Sequence, residues 1–539
     1  MPFLAKQHSS ISNQDLLSWL FDEPQYDLDK PVYIDAADSS RSISGRQGRS
    51  IVRRVAAGLR IQGLQDGDCV VVASFNNIYY PILVLGIIAA GGIYSGFNPS
   101  FTPFEIAHRV NTVHGKFILT EPERLKAITD AKQDVPKERI FIFDNMGQAI
   151  PDGFRSWKTL LDHGEIDWPR FTDPNTSKTT NCMFMFSSGT TGLPKAVQIT
   201  HHNLVAQHVL VSEDHPKPYE IRRLIALPMF HMSSTPIVMI APFRQGVPTY
   251  IMRSFNLEPF LKYHQDYQIT ELVMVTPTAI EIIMSPLNKK YSLKSLKSVM
   301  CGAAPLDKGP QARFQALLAP DTPFTQVWGM TETSCIASMI PWPEHDITGS
   351  VGWMLNNLDV KLVDDDGRDI SAPDTRGEIC IRGPTITRGY YENEEANARD
   401  FDSEGFFHTG DIAYMDGKTG LWYIVDRKKE LIKVRGLQVA PAELEAALLS
   451  HPSIIDAAVI GIPAPADSRE GELPRAYVTQ RPGTAKMSEK EVVEYAAGRL
   501  VEYKRLEGGV RFVEAIPKTV SGKILKRVLR EWAAKDDRG

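Results

Sequence analysis

The chain is 539 residues long, too long for one hydrophobic core, so a large unit with one or more smaller ones is expected. Its 43% hydrophobic and 23% charged residues are ordinary for a globular protein, and a net charge of -5 provides no bulk attraction for nucleic acid or an anionic membrane. The five cysteines (Cys69, Cys182, Cys301, Cys335, Cys380) are scattered without a CxxC pair, which speaks against a disulfide frame or a zinc site and for reduced thiols.

The opening MPFLAKQHSS lacks the basic start and long apolar stretch of a secretory signal, and the closing DDRG is not the peroxisomal tripeptide, so a cytoplasmic protein is expected. From Cys69 to Phe104 no residue is charged, and Ile78 to Phe97 is long enough to cross a bilayer. Val70-Val71-Val72 reads as a strand, however, and Asn76-Asn77, Pro81, Gly86 and Gly91-Gly92 interrupt the run. A buried strand and helix of an α/β core is therefore expected over a membrane anchor.

Up to about residue 425, short β-rich runs alternate with helical patterns, as in Leu272 to Val275 followed by Pro277 to Met284. That alternation implies layered α/β structure with parallel sheets. From Gly377 the character changes to short strands and tight turns: Glu378 to Arg382, the turn Gly417 to Gly420, then Leu421 to Val425. The last run meets five consecutive charged residues, Asp426 to Glu430, which must cross a surface. Residues 1–425 are expected as a large N-terminal domain, 426–430 as a hinge, and 431–539 as a small, mobile α+β C-terminal lid. Within the lid, Pro441 suits a first helical turn with Leu444 and Leu448 on the apolar face. Ser488 with Glu491 forms a capping-box pattern, and Leu525, Val528, Leu529 and Trp532 stripe a terminal helix.

Met183 to Phe186 reads as a strand feeding Ser187-Ser188-Gly189-Thr190-Thr191-Gly192-Leu193-Pro194-Lys195. Glycines let backbone N–H groups converge, the hydroxyls add donors and Lys195 adds a cation, which together make a nest for phosphate oxygens. Two residues separate the glycines where GxxxxGK[ST] has four, so a nucleotide is expected without the P-loop NTPase fold. The blander alternative is a plain solvent loop.

Further segments accompany this loop: Leu227-Pro228-Met229-Phe230-His231, Gly302-Ala303-Ala304-Pro305, Gln326-Val327-Trp328-Gly329-Met330-Thr331-Glu332, His408-Thr409-Gly410-Asp411, Leu431 to Gln438, and Pro517-Lys518-Thr519-Val520-Ser521-Gly522-Lys523. Singly, each has a bland reading: a core histidine, a buried tryptophan, an ordinary turn, a solvated lysine near a chain end. Together, in this order, they resemble the adenylate-forming superfamily of acyl-CoA synthetases, aryl-CoA ligases and firefly luciferases. The nearest likeness is to 4-coumarate–CoA ligase-like enzymes. Departures are Ala196 for a usual glycine, Trp328 for a usual tyrosine and Arg435 for a common lysine.

The resemblance implies a role for each segment. Ser187, Ser188, Gly189, Thr190, Thr191, Gly192 and Lys195 would hold ATP phosphates. Gly302, Ala303, Ala304 and Pro305 would lie against one face of the adenine, and Gln326, Trp328, Gly329 and Met330 would supply the other. Thr331 would bond the α-phosphate and Glu332 would hold Mg2+. Asp411, reinforced by Arg427, would accept both ribose hydroxyls. Lys429 would be the hinge residue, Lys433 and Gln438 would contact AMP in a second half-reaction, Gly436 and Leu437 would face CoA, and Lys523 would be the catalytic lysine of the first. His231 would gate the acyl pocket and thiol tunnel, with Ser233, Ile237, Met300, Ala303, Gly329, Cys335 and Ile336 around the acid.

The implied reaction joins a small carboxylic acid to AMP with release of pyrophosphate, then passes the acyl group to CoA with release of AMP. The expected lining is uncharged, which suits an aryl or medium-chain acid with an uncharged tail. Plant 4-coumarate–CoA ligases place a lysine and a tyrosine where this chain has Met300 and Ser233, which argues against a hydroxycinnamate specialist. Alternatives keep the adenylate but pass it to a carrier protein or oxidise it, or make the chain an inactive nucleotide-binding relative. Against the last stands the presence of Lys195, Thr331, Glu332, Asp411, Arg427 and Lys523 together.

Overall fold

The structure, a computed structural model, describes residues 1–187, 193–303, 306, 308–364, 366–427, 432–435, 437–439, 441–464, 471–517, 524 and 526–536. The uncharged stretch is core. Strand Cys69–Ala73, helix Tyr80–Ala89 and strand Ile93–Gly96 follow one another with every residue buried. Gly86 lets this helix lie close against helix Gly45–Ile61, since a Cβ there would stand 2.5 Å from a Val55 methyl. Among the described residues, no helix is long and apolar enough to cross a membrane.

Two seven-stranded sheets carry the N-terminal domain. In the first, Cys69–Ala73, Ile93–Gly96, Phe117–Thr120 and Ile140–Ile142 run parallel, and Asn181–Ser187 turns back antiparallel into Lys195–Thr200. In the second, Arg223–Ile225, Thr249–Ile251, Glu271–Val275, Ser298–Gly302 and Phe324–Gln326 are parallel neighbours. Parallel pairing needs crossovers, and the helix Thr276–Met284 supplies one between Glu271–Val275 and Ser298–Gly302. Both strand ends that lead to site segments, at Ser187 and at Gly302, are thus anchored by central pairing.

An antiparallel layer follows: Asp359–Val363, Gly377–Arg382, Phe407–Met415 and Trp422–Arg427. Here one expectation needs correcting. The strand does not stop where the charged run begins but continues through Asp426 and Arg427, paired with Ile412 and Asp411. Backbone pairing at a sheet edge is indifferent to side-chain charge when those side chains have somewhere to go. Two of the five residues expected to cross the surface are therefore strand; Lys429 lies outside the described residues.

The C-terminal domain has its own core. A two-stranded hairpin, Ile432–Val434 with Leu437–Val439, precedes helix Pro441–Leu449. A sheet of Ile454–Pro463, Glu472–Gln480 and Val510–Phe512 follows, with helices Glu489–Ala497 and Lys526–Asp536. The Ser488–Glu491 capping box is present, and Leu444, Leu448 and Leu529 are fully buried.

The two domains meet through buried charge. Lys504 Nζ donates to Glu105 Oε1 at 2.9 Å and to Glu443 Oε1 at 2.8 Å, and Arg109 stands 4.0 Å from Glu443. Lys504 and Glu443 belong to the lid, Glu105 and Arg109 to helix Pro103–Thr112. All four are at most 5% exposed, and Phe101 lies under both cations, with Arg109 Cζ 4.0 Å and Lys504 Nζ 4.7 Å from its ring centre.

Candidate active site

A cleft of about 930 Å³ opens between the two domains. Its walls bring together the ends of the segments singled out above: Ser187 and Lys195, His231 and Ser233, Gly302 and Ala303, Gly329 to Glu332, and Arg435 and Leu437 of the lid hairpin. Ser188, Gly189, Thr190, Thr191, Gly192, Ala304, Pro305, Gly436 and Lys523 lie outside the described residues, as do the side chains of Arg427 and Gln438.

At the phosphate end, the Ser187 hydroxyl is buried and finds no hydrogen-bond partner among the described residues. Lys195 is not a bare cation. Its ammonium donates to Asp400 at 2.9 Å and lies 4.1 Å from the centre of the Tyr390 ring. Burial pushes Asp400 up, but hydrogen bonds from Arg399 and Lys195 outweigh it and hold the carboxyl below its ordinary value. Tyr390 in turn donates its hydroxyl to Glu332 Oε1 at 3.1 Å, so Lys195, Asp400, Tyr390 and Glu332 form one supported wall. Asp400 and Tyr390 carry no motif signal of their own; only folding reveals them.

Thr331 and Glu332 sit in a single tight turn, Thr331–Thr333, and both line the cleft. The backbone behind it is strained: Ala303, Ser334 and Cys335 have φ of 67°, 56° and 113°. A Cβ on Gly329 would stand 1.7 Å from the Cys335 carbonyl oxygen, so glycine is required there.

Two residues expected at the nucleotide make buried hydrogen bonds. The indole of Trp328 is 7% exposed within the apolar cluster of the antiparallel layers, and its Nε1 donates to Asp411 Oδ2 at 2.8 Å. An indole N–H can only donate, and a buried carboxylate is the strongest acceptor within reach. Through this in-plane bond Trp328 orients Asp411. Gln326 is 4% exposed; its amide accepts from Leu306 N and donates to Leu306 O, both at 2.9 Å. It pins the segment after Gly302 rather than reaching the cleft.

Asp411 itself follows a fixed turn, with its N–H donating to Thr409 Oγ1 at 3.1 Å and Thr409 Oγ1 donating to Ile379 O at 2.7 Å. Strand pairing sets Arg427 directly opposite Asp411. In the lid hairpin, Lys433 and Gln438 are cross-strand partners, and Arg435 makes the turn between the strands with φ of 50°.

His231 accepts a hydrogen bond from the Ser233 N–H at Nδ1, 3.2 Å away, which leaves the proton of the neutral ring on Nε2. Ser233 Oγ lies 2.9 Å from the same nitrogen. Burial pushes the Cys335 thiol up to about 12, so it forms a neutral wall and not a nucleophile. The expected acyl lining divides between two cavities. Ala303 and Gly329 face the cleft, Ile237 and Met300 face a second cavity of about 820 Å³, and Ser233, Cys335 and Ile336 line both.

The sequence matches the AMP-binding enzyme family over residues 21–391 and the AMP-binding enzyme C-terminal domain over 443–523. It is 52% identical over 537 residues to phenylacetyl-CoA ligase epaB of Aspergillus niger, covering 98% of this chain and 99% of that one. It is 50% identical over 512 residues to acyl-CoA synthetase ACTT5 of Alternaria alternata, covering 94% of this chain and 88% of the other. Among solved structures, a double mutant of o-succinylbenzoate CoA synthetase from Bacillus subtilis bound with a product analogue shares the fold at a TM-score of 0.79 and 23% identity, over 96% of this chain and 98% of that one. The same Bacillus enzyme with its acyl-adenylate intermediate gives 0.64 at 22% identity, over 96% of this chain and 98% of that one. The chain belongs to the AMP-binding enzyme family and is an AMP-forming acid–CoA ligase that uses ATP and CoA.

Proposed function

We propose that the interdomain cleft is where this ligase forms an acyl-adenylate and then hands the acyl group to the CoA thiol. The observation that carries this reading is that Ser187, Thr331, Glu332, His231, Arg435 and Leu437, drawn from both domains, line one cleft.

Joining a carboxylate to the α-phosphate brings two anions together, so the protein's task is placement and charge neutralisation. The Ser187 hydroxyl, without a partner among the described residues, and the Thr331 hydroxyl are donors for phosphate oxygens, and Asp411, held by Trp328, accepts from the ribose. Glu332 fits a magnesium site of the kind built from one carboxylate and substrate phosphates, and the ion, when bound, would neutralise phosphate charge. Lys523 completes the donor set for this first step. In the second step the hairpin with Lys433, Gln438, Gly436 and Leu437 takes its place, pivoting near Lys429. His231, with its proton on Nε2, borders the path of the thiol.

The lid stance supports the second step as the one represented here: the hairpin turn faces the cleft, and the backbone follows the product-analogue form of the Bacillus enzyme more closely than its adenylate form. The acid is an aryl or medium-chain one, and the epaB relative's name, a phenylacetyl-CoA ligase, supports the aryl class.

The test is a panel of such acids assayed for pyrophosphate release and for acyl-CoA, with and without CoA and with magnesium chelated. Acid-dependent pyrophosphate release that stops on chelation, with thioester only when CoA is present, is expected. Pyrophosphate release without any thioester would redirect the reading to a different acceptor.

A further inference from the structure

The second cavity decides what the far end of the acid looks like. Its floor is the parallel pair Glu271–Val275 and Ser298–Gly302, in register Glu271 with Ser298, Val273 with Met300 and Val275 with Gly302. Alternate residues of a strand share a face, so these three rungs form one track. Val275 and Gly302 line the catalytic cleft, Val273 lines both cavities, and Met300, Ser298 and Glu271 line the second. From Gly302 to Ser298 is four strand residues, on the order of 13 Å.

At the end of that track the lining changes character. Arg223 is the register partner of Glu271 on the neighbouring strand, and its Nε and Nη2 donate to Glu271 Oε2 at 3.0 and 2.7 Å. Above them, helix His201–His208 brings Gln207 and His208 to the same cavity. Gln207 and His208 are 1% exposed and Arg223 is 6% exposed, yet Gln207 Nε2 and Oε1, His208 Nε2 and Arg223 Nη1 have no hydrogen-bond partner among the described residues. Four orphaned polar atoms on three buried side chains around one cavity cannot be a packing detail. A buried donor without a partner is destabilising, and three apolar side chains of similar size would avoid that cost. Lys217 also lines this end; Gln207 Nε2 and Arg223 Nη1 are donors, Gln207 Oε1 is an acceptor, and His208 Nε2 donates in the tautomer that carries its proton there.

We propose that the acid this ligase activates carries a second oxygen function at its far end, a hydroxyl, carbonyl or carboxylate, which accepts hydrogen bonds from Gln207, His208 and Arg223. This rests on the cleft being the site of adenylation. It replaces the uncharged-tail expectation with a stricter one: an apolar middle against Val273, Met300, Cys335 and Ile336, and a polar terminus on the order of 13 Å from the adenylating end. The apolar neck binds both kinds of acid alike, so discrimination comes from the terminus, where an acid without the acceptor leaves the buried donors unpaired.

The test compares a straight ten-carbon acid (on the order of the track's length) with its ω-hydroxy and ω-carboxy analogues, by kcat/KM for CoA-dependent pyrophosphate release. In the unmodified enzyme at least one oxygenated acid should exceed the plain acid by ~10-fold or more. The better of the two tells whether an anion or a neutral acceptor is read. Gln207→Leu removes two of the orphaned atoms without exposing a charge, so it should fold and lose most of the preference for the oxygenated acid over the plain one. A plain acid preferred by the unmodified enzyme, a preference untouched in Gln207→Leu, or turnover confined to short unsubstituted acids would each overturn the inference while leaving the ligase reading intact. Absence of pyrophosphate release with every acid would instead overturn the site reading beneath it.

Discussion

The charge cluster around Lys504 and the one around Arg223 both take cations and carboxylates out of water, yet they leave different atoms behind. At the domain interface, two cations and two carboxylates meet, and no buried side-chain atom of Lys504, Glu443, Glu105 or Arg109 lacks a partner. At the end of the acyl track, the Arg223–Glu271 pair is itself sound, but Arg223 Nη1 and the neighbouring amide and imidazole are left over. A cluster that is complete within the chain holds the chain in one arrangement; a cluster that is complete only with something added marks where a ligand goes. The first is a latch between domains, the second a reader of substrate.

The comparison can be sharpened or broken. Its largest test sets the two lysines of the lid against each other. Lys523→Ala should lower adenylate formation by about 10²–10³-fold while sparing thioester formation from supplied adenylate. Lys504→Met should do the reverse. It leaves two buried carboxylates without their main cation, at a cost of about 3–5 kcal/mol that the lid avoids by undocking. Single-turnover transfer from supplied adenylate should fall by about 10- to 100-fold, with pyrophosphate release retained. Equal losses in both steps would mean the interface is general scaffold and no latch.

A second test stays within the acyl cluster. Arg223→Met strands Glu271 and should destabilise the N-terminal domain by about 3–5 kcal/mol. Gln207→Leu, which removes atoms that have no partner among the described residues, should leave the melting temperature unchanged or raise it. A fall with Gln207→Leu comparable to that with Arg223→Met would show that the amide is structural.

The smallest test uses pH. Burial holds His201, His202 and His264 down to about 4, and His208, near Arg223 and Arg244 as well, to about 3. The unfolded chain protonates such rings below about 6.5, so their contribution is full above that and is lost as pH falls toward the folded values. At the latch the signs differ. Burial raises Glu443, but Lys504 and Arg109 outweigh it and hold it below its ordinary 4.5, so its contribution is lost only as pH falls below that value. Burial lowers Lys504, but Tyr503, Glu443 and Glu105 outweigh it and hold it above 10.5, so its contribution is lost only at higher pH still. Between about pH 6.5 and 5 the N-terminal domain should lose thermal stability while lid docking, read by single-turnover transfer, does not. Parallel losses would erase the distinction.

Much of the fold was readable before folding, because the signals were local. The charge-free run at Cys69 became strand, helix and strand, the Ser488 capping box formed, and Pro441 opened its helix. Of the site, the convergence of the motif segments on one cleft followed from their resemblance to a family, since spacing along the chain carries no distance across it. The bonds that Trp328 and Gln326 make were not legible, because a buried N–H takes the best acceptor in reach, and which acceptor that is depends on packing.

Strand runs, helix caps, a phosphate-loop composition and the chemistry of adenylation were all written within stretches of ten residues or so, where backbone geometry is set by neighbours in the chain. The interdomain latch joins residues 399 positions apart, and the donor-rich terminus of the acyl track joins a helix to two strands from elsewhere in the chain. Neither has a local pattern, because a buried ion pair or an unpaired donor exists only once distant segments have excluded water around it.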